Sequence, residues 1–152
     1  MRVAVLGLSD FGYPLAIRLH EIGNEVIAVD RNREPVQRIK DFVTKAVVAD
    51  VTDRAALDEL GIGGVDAVLI SIGRRLEATV LLTHYLKQAG VPRIFVKVAD
   101  EEQGKILRLI GASDVVEPDR EVAVSVAARM TYPHFIDGMF LRGETRIVAV
   151  KA

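Results

Sequence analysis

Cysteine is absent from the 152 residues, and so is tryptophan. Without a thiol the chain can form no disulfide, no cysteine-ligated zinc site and no thiol nucleophile, a composition at home in a reducing compartment. Charge of one sign is also missing: 20 Lys and Arg stand against 21 Asp and Glu. That balance supplies no broad basic field for nucleic acid or anionic lipid. No apolar run reaches the roughly 18 residues that a membrane span needs, and a strand-like run starts directly after Met1, where a signal peptide would otherwise be read. The expectation is a cytoplasmic protein with no nucleic-acid partner. Aromatic residues make up only 5%, while half of the residues are hydrophobic, and the apolar set is mostly Val, Ile, Leu and Ala. This is the profile of buried parallel strands covered by helices, in a chain of one-domain size.

The pattern along the chain agrees. Short apolar runs recur as Val3-Ala4-Val5-Leu6, Val26-Ile27-Ala28-Val29, Ala46-Val47-Val48-Ala49, Ala67-Val68-Leu69-Ile70 and Ile94-Phe95-Val96, and each reads as a strand buried on both faces. Asp114-Val115-Val116 is a shorter sixth run, expected at an edge. Between the runs, apolar residues fall at helical spacing: Leu15, Leu19 and Ile22; Val36 and Ile39; Leu57 and Leu60; Leu76, Val80 and Leu86; Ile106 and Ile110. Right-handed crossovers between successive parallel strands then lead to an α/β, Rossmann-like doubly wound parallel sheet in the order 3-2-1-4-5-6. Residues 1–118 form this domain. In 119–141, Val122, Val126 and Met130 mark a further helix that Pro133 should end or kink. Phe135, Ile136, Met139, Phe140 and Leu141 follow, too apolar for a free tail, and 142–152 carries a strand-like run, Arg146 to Val150, without room for a partner.

Gly7-Leu8-Ser9-Asp10-Phe11-Gly12 follows the first strand directly and opens the first helix, where a dinucleotide fingerprint belongs. Gly7 permits the tight turn, Gly12 permits close packing of helix on sheet, and the amides at the helix start attract a pyrophosphate. Ser9 stands where a middle glycine is usual. Asp30 ends the second strand about 18 residues beyond Gly12, near the roughly 20 expected for the acid that holds a ribose. Its charge opposes a 2'-phosphate and so favours NAD or a simple adenine nucleotide over NADP. Asp50-Val51-Thr52 and Ser71-Ile72-Gly73 end the third and fourth strands at the same crevice. The first group is suited to holding adenine, the second to passing close to phosphates, with Arg31 beside Asp30 and Arg74 and Arg75 behind Gly73.

Taken together, these segments, with Gly111-Ala112-Ser113-Asp114-Val115-Val116-Glu117-Pro118, resemble the KTN/RCK (TrkA-N type) nucleotide-binding domain of the regulatory subunits of Ktr/Trk potassium uptake systems. The resemblance implies a regulatory subunit that binds an adenine nucleotide and dimerises. It also implies assembly into a ring against a membrane-embedded potassium channel or transporter subunit, at the inner face of the membrane. The helix from Arg120 to Met130 and the apolar stretch after it would cross to a neighbouring subunit. Members that respond to ATP often carry Arg where this chain has Asp10. At about 6 Å and an effective dielectric near 20, an added like charge costs about 3 kcal/mol, more than the roughly 1 kcal/mol Asp10 would contribute as a helix cap. The expected ligands are therefore NAD or NADH, ADP or AMP rather than ATP. Asp119 matches a position that helps hold a cation in some members.

Catalytic chemistry is hard to find. Phe11 breaks the G-x-S-x-G pattern, so Ser9 is no hydrolase nucleophile. His20, His84 and His134 match no metal spacing, and Asp100-Glu101-Glu102 reads as the negative start of a helix. The alternatives are the cofactor domain of an NAD-dependent oxidoreductase, which lacks a second half to supply a substrate pocket, and a redox-sensing repressor, which lacks a basic reading helix.

Overall fold

The computed structural model describes residues 1–132. Six parallel strands, β1 (Arg2–Leu6), β2 (Glu25–Asp30), β3 (Lys45–Val48), β4 (Ala67–Ile70), β5 (Arg93–Lys97) and β6 (Asp114–Val116), lie in the order 3-2-1-4-5-6. The helices are α1 (Gly12–Glu21), α2 (Arg33–Ile39), α3 (Arg54–Glu59), α4 (Leu76–Gln88), α5 (Glu101–Ile110) and α6 (Pro118–Thr131), with a short 3₁₀ turn at Ile62–Gly64. The chain divides into a compact unit over Met1–Val116 and a second beginning at Glu117. In the second, α6 carries Pro118 in its first turn, where proline's missing N–H has no helical partner to lose. The expectations for Pro133, for Phe135 to Leu141 and for Arg146 to Val150 fall outside the described residues.

Alternate side chains of the central strands feed two cores. Val5, Val26, Ala28 and Leu69 pack with Ala16 of α1 and with Val36 and Ile39 of α2. Ala4, Leu6, Ile27, Val29, Val68 and Ile70 pack with Leu57 of α3, Leu82 and Leu86 of α4 and Leu107 of α5. Helices thus cover both faces, and the winding reverses between β1 and β4, the place where such sheets bind ligands.

Burial on both faces holds for β4, for all but the first residue of β1 and for all but the two end residues of β2, but not for β3, whose ends are exposed and whose middle is half-buried. β3 is an edge strand, as is β6, and an edge receives cover from one neighbour only. Two helix faces also differ from the periodic reading. Ile22 follows the last turn of α1 and is 59% exposed. Ile106 is exposed as well, because α5 turns Gly104 and Leu107 to the sheet. A Cβ on Gly104 would sit 3.2 Å from Val115 Cγ2, so the helix approaches the sheet through its glycine and Ile106 lies off that face. Asp100 caps α5 by accepting from the Gln103 amide at 2.9 Å, with Glu101 and Glu102 in its first turn, as the acidic cluster implied.

Candidate functional site

Beyond Leu6, Asp30, Val48 and Ile70, the carboxyl ends of four adjacent strands, the backbone stays paired for one more step. Gly7 N donates to Val29 O at 2.8 Å, Ser71 N to Leu6 O at 2.8 Å and Ala49 N to Asp30 O at 3.1 Å. These bonds hold the four loops side by side around a cavity of about 170 Å³.

The first loop is fixed by steric necessity. Gly7 has φ +103°, and a Cβ there would lie 1.9 Å from Ser71 O; a Cβ on Gly12 would lie 1.9 Å from Gly7 O. Only hydrogen fits at either position. The backbone therefore turns directly into α1, whose first turn holds no acidic residue and has no side-chain cap. Asp10 is exposed and does not cap the helix. The amides of Ser9, Asp10, Phe11 and Gly12 donate to no protein acceptor among the described residues, leaving a positive helix end open to an anion.

Asp30 holds this loop to the second. One carboxylate oxygen accepts from Leu8 N and the other from Asn32 N, each at 2.8 Å. The acid is thus no cap for α2, which begins after Asn32 without a side-chain cap. Each oxygen retains one lone pair for a sugar hydroxyl, so the carboxylate can grip a ribose and brace the phosphate turn at once.

In the third loop Asp50 Oδ1 accepts from Thr52 N at 2.9 Å and from Thr52 Oγ1 at 2.7 Å. These two bonds, and then the nearby Arg75 and Arg31 guanidiniums, hold its carboxyl below the usual carboxylate range. Opposite, after β4, Ser71 is 2% exposed and its hydroxyl has no hydrogen-bond partner among the described residues. Buried hydroxyls are ordinarily paired, so an unsatisfied one on a cavity wall fits a site that takes up a polar ligand.

Of the fourteen residues expected at the site, Gly7, Ser9, Asp30, Arg31, Asp50, Val51, Ser71, Ile72 and Gly73 line this cavity. Leu8 and Asp10 line a wider groove beside it at the starts of α1 and α2, and Thr52 lines a groove between α3 and α4 that also includes Val51 and Arg75. Phe11 packs on the core under α1 and α2, and Gly12 serves by letting the helix close on Gly7. Arg75 joins the cavity wall, while Arg74 is exposed and does not. Asn32 and Ala49 also line it. Ala49 has no polar side chain and Asn32 matches no motif spacing, so only their places, next after Arg31 and just before Asp50, could have revealed them. Among the described residues no cluster of His, Cys, Asp or Glu could hold a metal ion, and no helix is long and apolar enough to cross a membrane.

Known proteins are similar to this chain in sequence and fold. The chain is 34% identical over 98% of its length to the Ktr system potassium uptake protein A of Bacillus subtilis and 37% identical over 84% to that of Vibrio alginolyticus. It spans 67% and 58% of those proteins' lengths. Among solved structures, the NAD(P)-binding domain of an exopolyphosphatase-related protein from Archaeoglobus fulgidus matches 85% of the chain and 96% of its own, with TM-score 0.72 and 27% identity. The Kef C-terminal domain of Shewanella denitrificans in its AMP-bound form matches 86% of the chain and 81% of its own, with TM-score 0.66 and 20% identity, which speaks for the fold alone. The TrkA-N domain model covers residues 3–118, from the first strand to the start of α6, and with it the whole of the cavity just described: the chain belongs to the TrkA-N family.

Proposed function

We propose that this chain is the nucleotide-sensing part of a cytoplasmic regulatory subunit of a potassium uptake system, and that its ligand is NAD or NADH, ADP or AMP. The observation that carries the reading is the meeting of a sterically fixed glycine turn, the Asp30 carboxylate that braces it and an unsatisfied buried hydroxyl around one cavity at the reversal of the sheet. Phosphate oxygens accept from the open amides of α1, the ribose hydroxyls donate to Asp30, and the base lies toward Asp50, Val51 and Thr52. The groove that Asp10 lines adds a negative charge near the start of α1, which opposes a third phosphate.

The 34% identical relative bears the name of a potassium uptake protein, and this supports a membrane-embedded channel or transporter subunit as the partner. Regulation then follows if the nucleotide binds one of two arrangements of a homodimer, assembled into a ring, more tightly than the other. No catalytic step is needed.

Mass spectrometry of nucleotide released on denaturing the purified protein tests the reading: an adenine nucleotide in stoichiometric amount supports it. Steady turnover of NADH with added carbonyl substrates would overturn it in favour of an oxidoreductase.

A further inference from the structure

Three polar side chains are buried among the described residues: Ser71, Thr79 and Thr83. The two threonines stand in α4 and pair within its first turns, Thr79 Oγ1 donating to Arg75 O at 2.9 Å and Thr83 Oγ1 to Thr79 O at 2.7 Å. Ser71 behaves differently. It is 2% exposed, its Oγ is shut off from solvent, and that oxygen has no hydrogen-bond partner among the described residues. A hydroxyl taken from water and left unpaired costs stability, and an alanine of nearly the same size would avoid the cost. The ligand-free chain thus carries a group that its own fold does not use, as sites do where stability is given up for function.

The place of Ser71 in the sheet points to its partner. Ser71 lines the cavity of about 170 Å³ and lies against the glycine turn: Ser71 N donates to Leu6 O at 2.8 Å, and Ser71 O fills the space that a Cβ on Gly7 would need. β1 lies between β2 and β4, so the turn after β1 has Asp30 on one side and Ser71 on the other. A ribose held by Asp30 sends its phosphate across the turn, over the open amides of α1 and toward Ser71. We propose that the Ser71 hydroxyl donates to a phosphoryl oxygen of the nucleotide and is satisfied only when the nucleotide is bound. One torsion, about Cα–Cβ, carries its oxygen among three staggered settings, so a phosphate at the cavity wall draws the hydroxyl to itself. The bond formed is of the stronger, charge-assisted kind. This contact rests on the nucleotide reading above and gives that site a phosphate ligand outside the glycine turn.

Two measurements on the purified chain and its Ser71→Ala variant test the contact: urea denaturation without ligand, and calorimetric titration with adenosine, AMP and ADP. Ser71→Ala is expected to keep the urea midpoint of the ligand-free chain at or above the wild-type value, since no bond is lost there. The same variant is expected to bind AMP and ADP about 10-fold more weakly, the loss of one hydrogen bond to a charged group, and adenosine as well as the wild type does. A hydroxyl with a merely structural role gives the opposite pattern, and a lowered midpoint would show that Ser71 is paired within the protein and overturn the proposal. Equal losses for adenosine and AMP would put the hydroxyl on the sugar and overturn the phosphate contact. Wild-type protein that binds none of the three overturns the nucleotide reading together with the contact, whereas tight AMP and ADP binding indifferent to Ser71→Ala overturns the contact alone.

Discussion

The two walls of the cavity are built by different physics. On one side, the turn from Gly7 to Gly12 is fixed by excluded volume: two glycines each stand where a methyl group would penetrate a carbonyl oxygen, and Asp30 holds the turn through the Leu8 amide. On the other, the segment from Ser71 to Arg75 is held at its root by one sheet hydrogen bond and then opens out. A Cβ on Gly73 would meet nothing within 4 Å, and two arginines follow. The rigid wall dictates where an anion can sit. The open wall is where charge, and with it ligand preference, can vary without disturbing the fold.

The sharpest way to break this comparison is to put a methyl group on each wall. Gly7→Ala or Gly12→Ala forces a contact of 1.9 Å with backbone oxygen, and relief requires moving β1 from β4 or α1 from the sheet. Each is expected to destabilise by at least ~4 kcal/mol, in the exceptional range for a single substitution, or to prevent folding. Gly73→Ala has only its backbone at φ +77° to pay for, about 1 kcal/mol. Urea denaturation of the variants measures the contrast, and equal losses on the two walls would show that the first is no more constrained than the second.

Asp30 comes next, because it braces the turn and is also the acid proposed to hold the ribose. Asp30→Ala leaves the Leu8 and Asn32 amides without their acceptor, and the part-buried Leu8 amide should cost about 1–2 kcal/mol of stability. Nucleotide affinity should fall by at least a further ~1 kcal/mol through the lost ribose bonds. Asp30→Asn keeps one acceptor oxygen and should recover part of the stability but little of the affinity. If calorimetry finds affinity unchanged in Asp30→Ala, the ribose is held elsewhere.

Asp10 sharpens the comparison from its border. It neither caps α1 nor lines the small cavity, but it is a charge within the turn from Gly7 to Gly12. Asp10→Arg should leave stability nearly unaltered and raise the affinity ratio of ATP to AMP by about 10-fold, in free energy about a quarter of what a full charge reversal at about 6 Å allows. A ratio that stays the same would mean that the terminal phosphate points away from the turn.

Much of this was open to reading from sequence, and the reasons differ by residue. Val26 to Val29 and Ala67 to Ile70 are uninterrupted apolar runs because helices cover both their faces, so they announce central parallel strands, and with them the strand order. Gly7, Gly12 and Asp30 are legible because their roles depend on residue type at fixed spacing. Ile106 misled because helical phase is set by the closest contact, and in α5 that contact is made by a glycine, a residue that hydrophobic periodicity does not weigh. Asn32 and Ala49 were hidden for another reason: they line the cavity at positions that no fingerprint spacing specifies. The bracing of the turn by the Asp30 carboxylate depends on a bond between residues 22 apart in sequence, which no local pattern encodes.

The smallest expected effect concerns the open wall's neighbour, Asp50, and it reads out by titration. Thr52 lowers the Asp50 pKa chiefly through its hydroxyl and then through its amide, with Arg75 and Arg31 adding less. A carboxyl whose folded value lies below its unfolded value contributes stability that is fully present above the unfolded value, near pH 4, and disappears as the pH falls through the folded one. The carboxylate is therefore ionised throughout the neutral range, and base recognition through it should be flat there. Thr52→Val removes the 2.7 Å hydroxyl bond but keeps the amide bond. The Asp50 side-chain resonance, followed by NMR against pH, should then titrate closer to the ordinary aspartate value, while stability at pH 7 changes little because the group is well exposed. A titration unmoved in Thr52→Val would transfer the control of Asp50 from its own turn to the arginines across the cavity, and the open wall would then set the charge of its neighbour as well as its own.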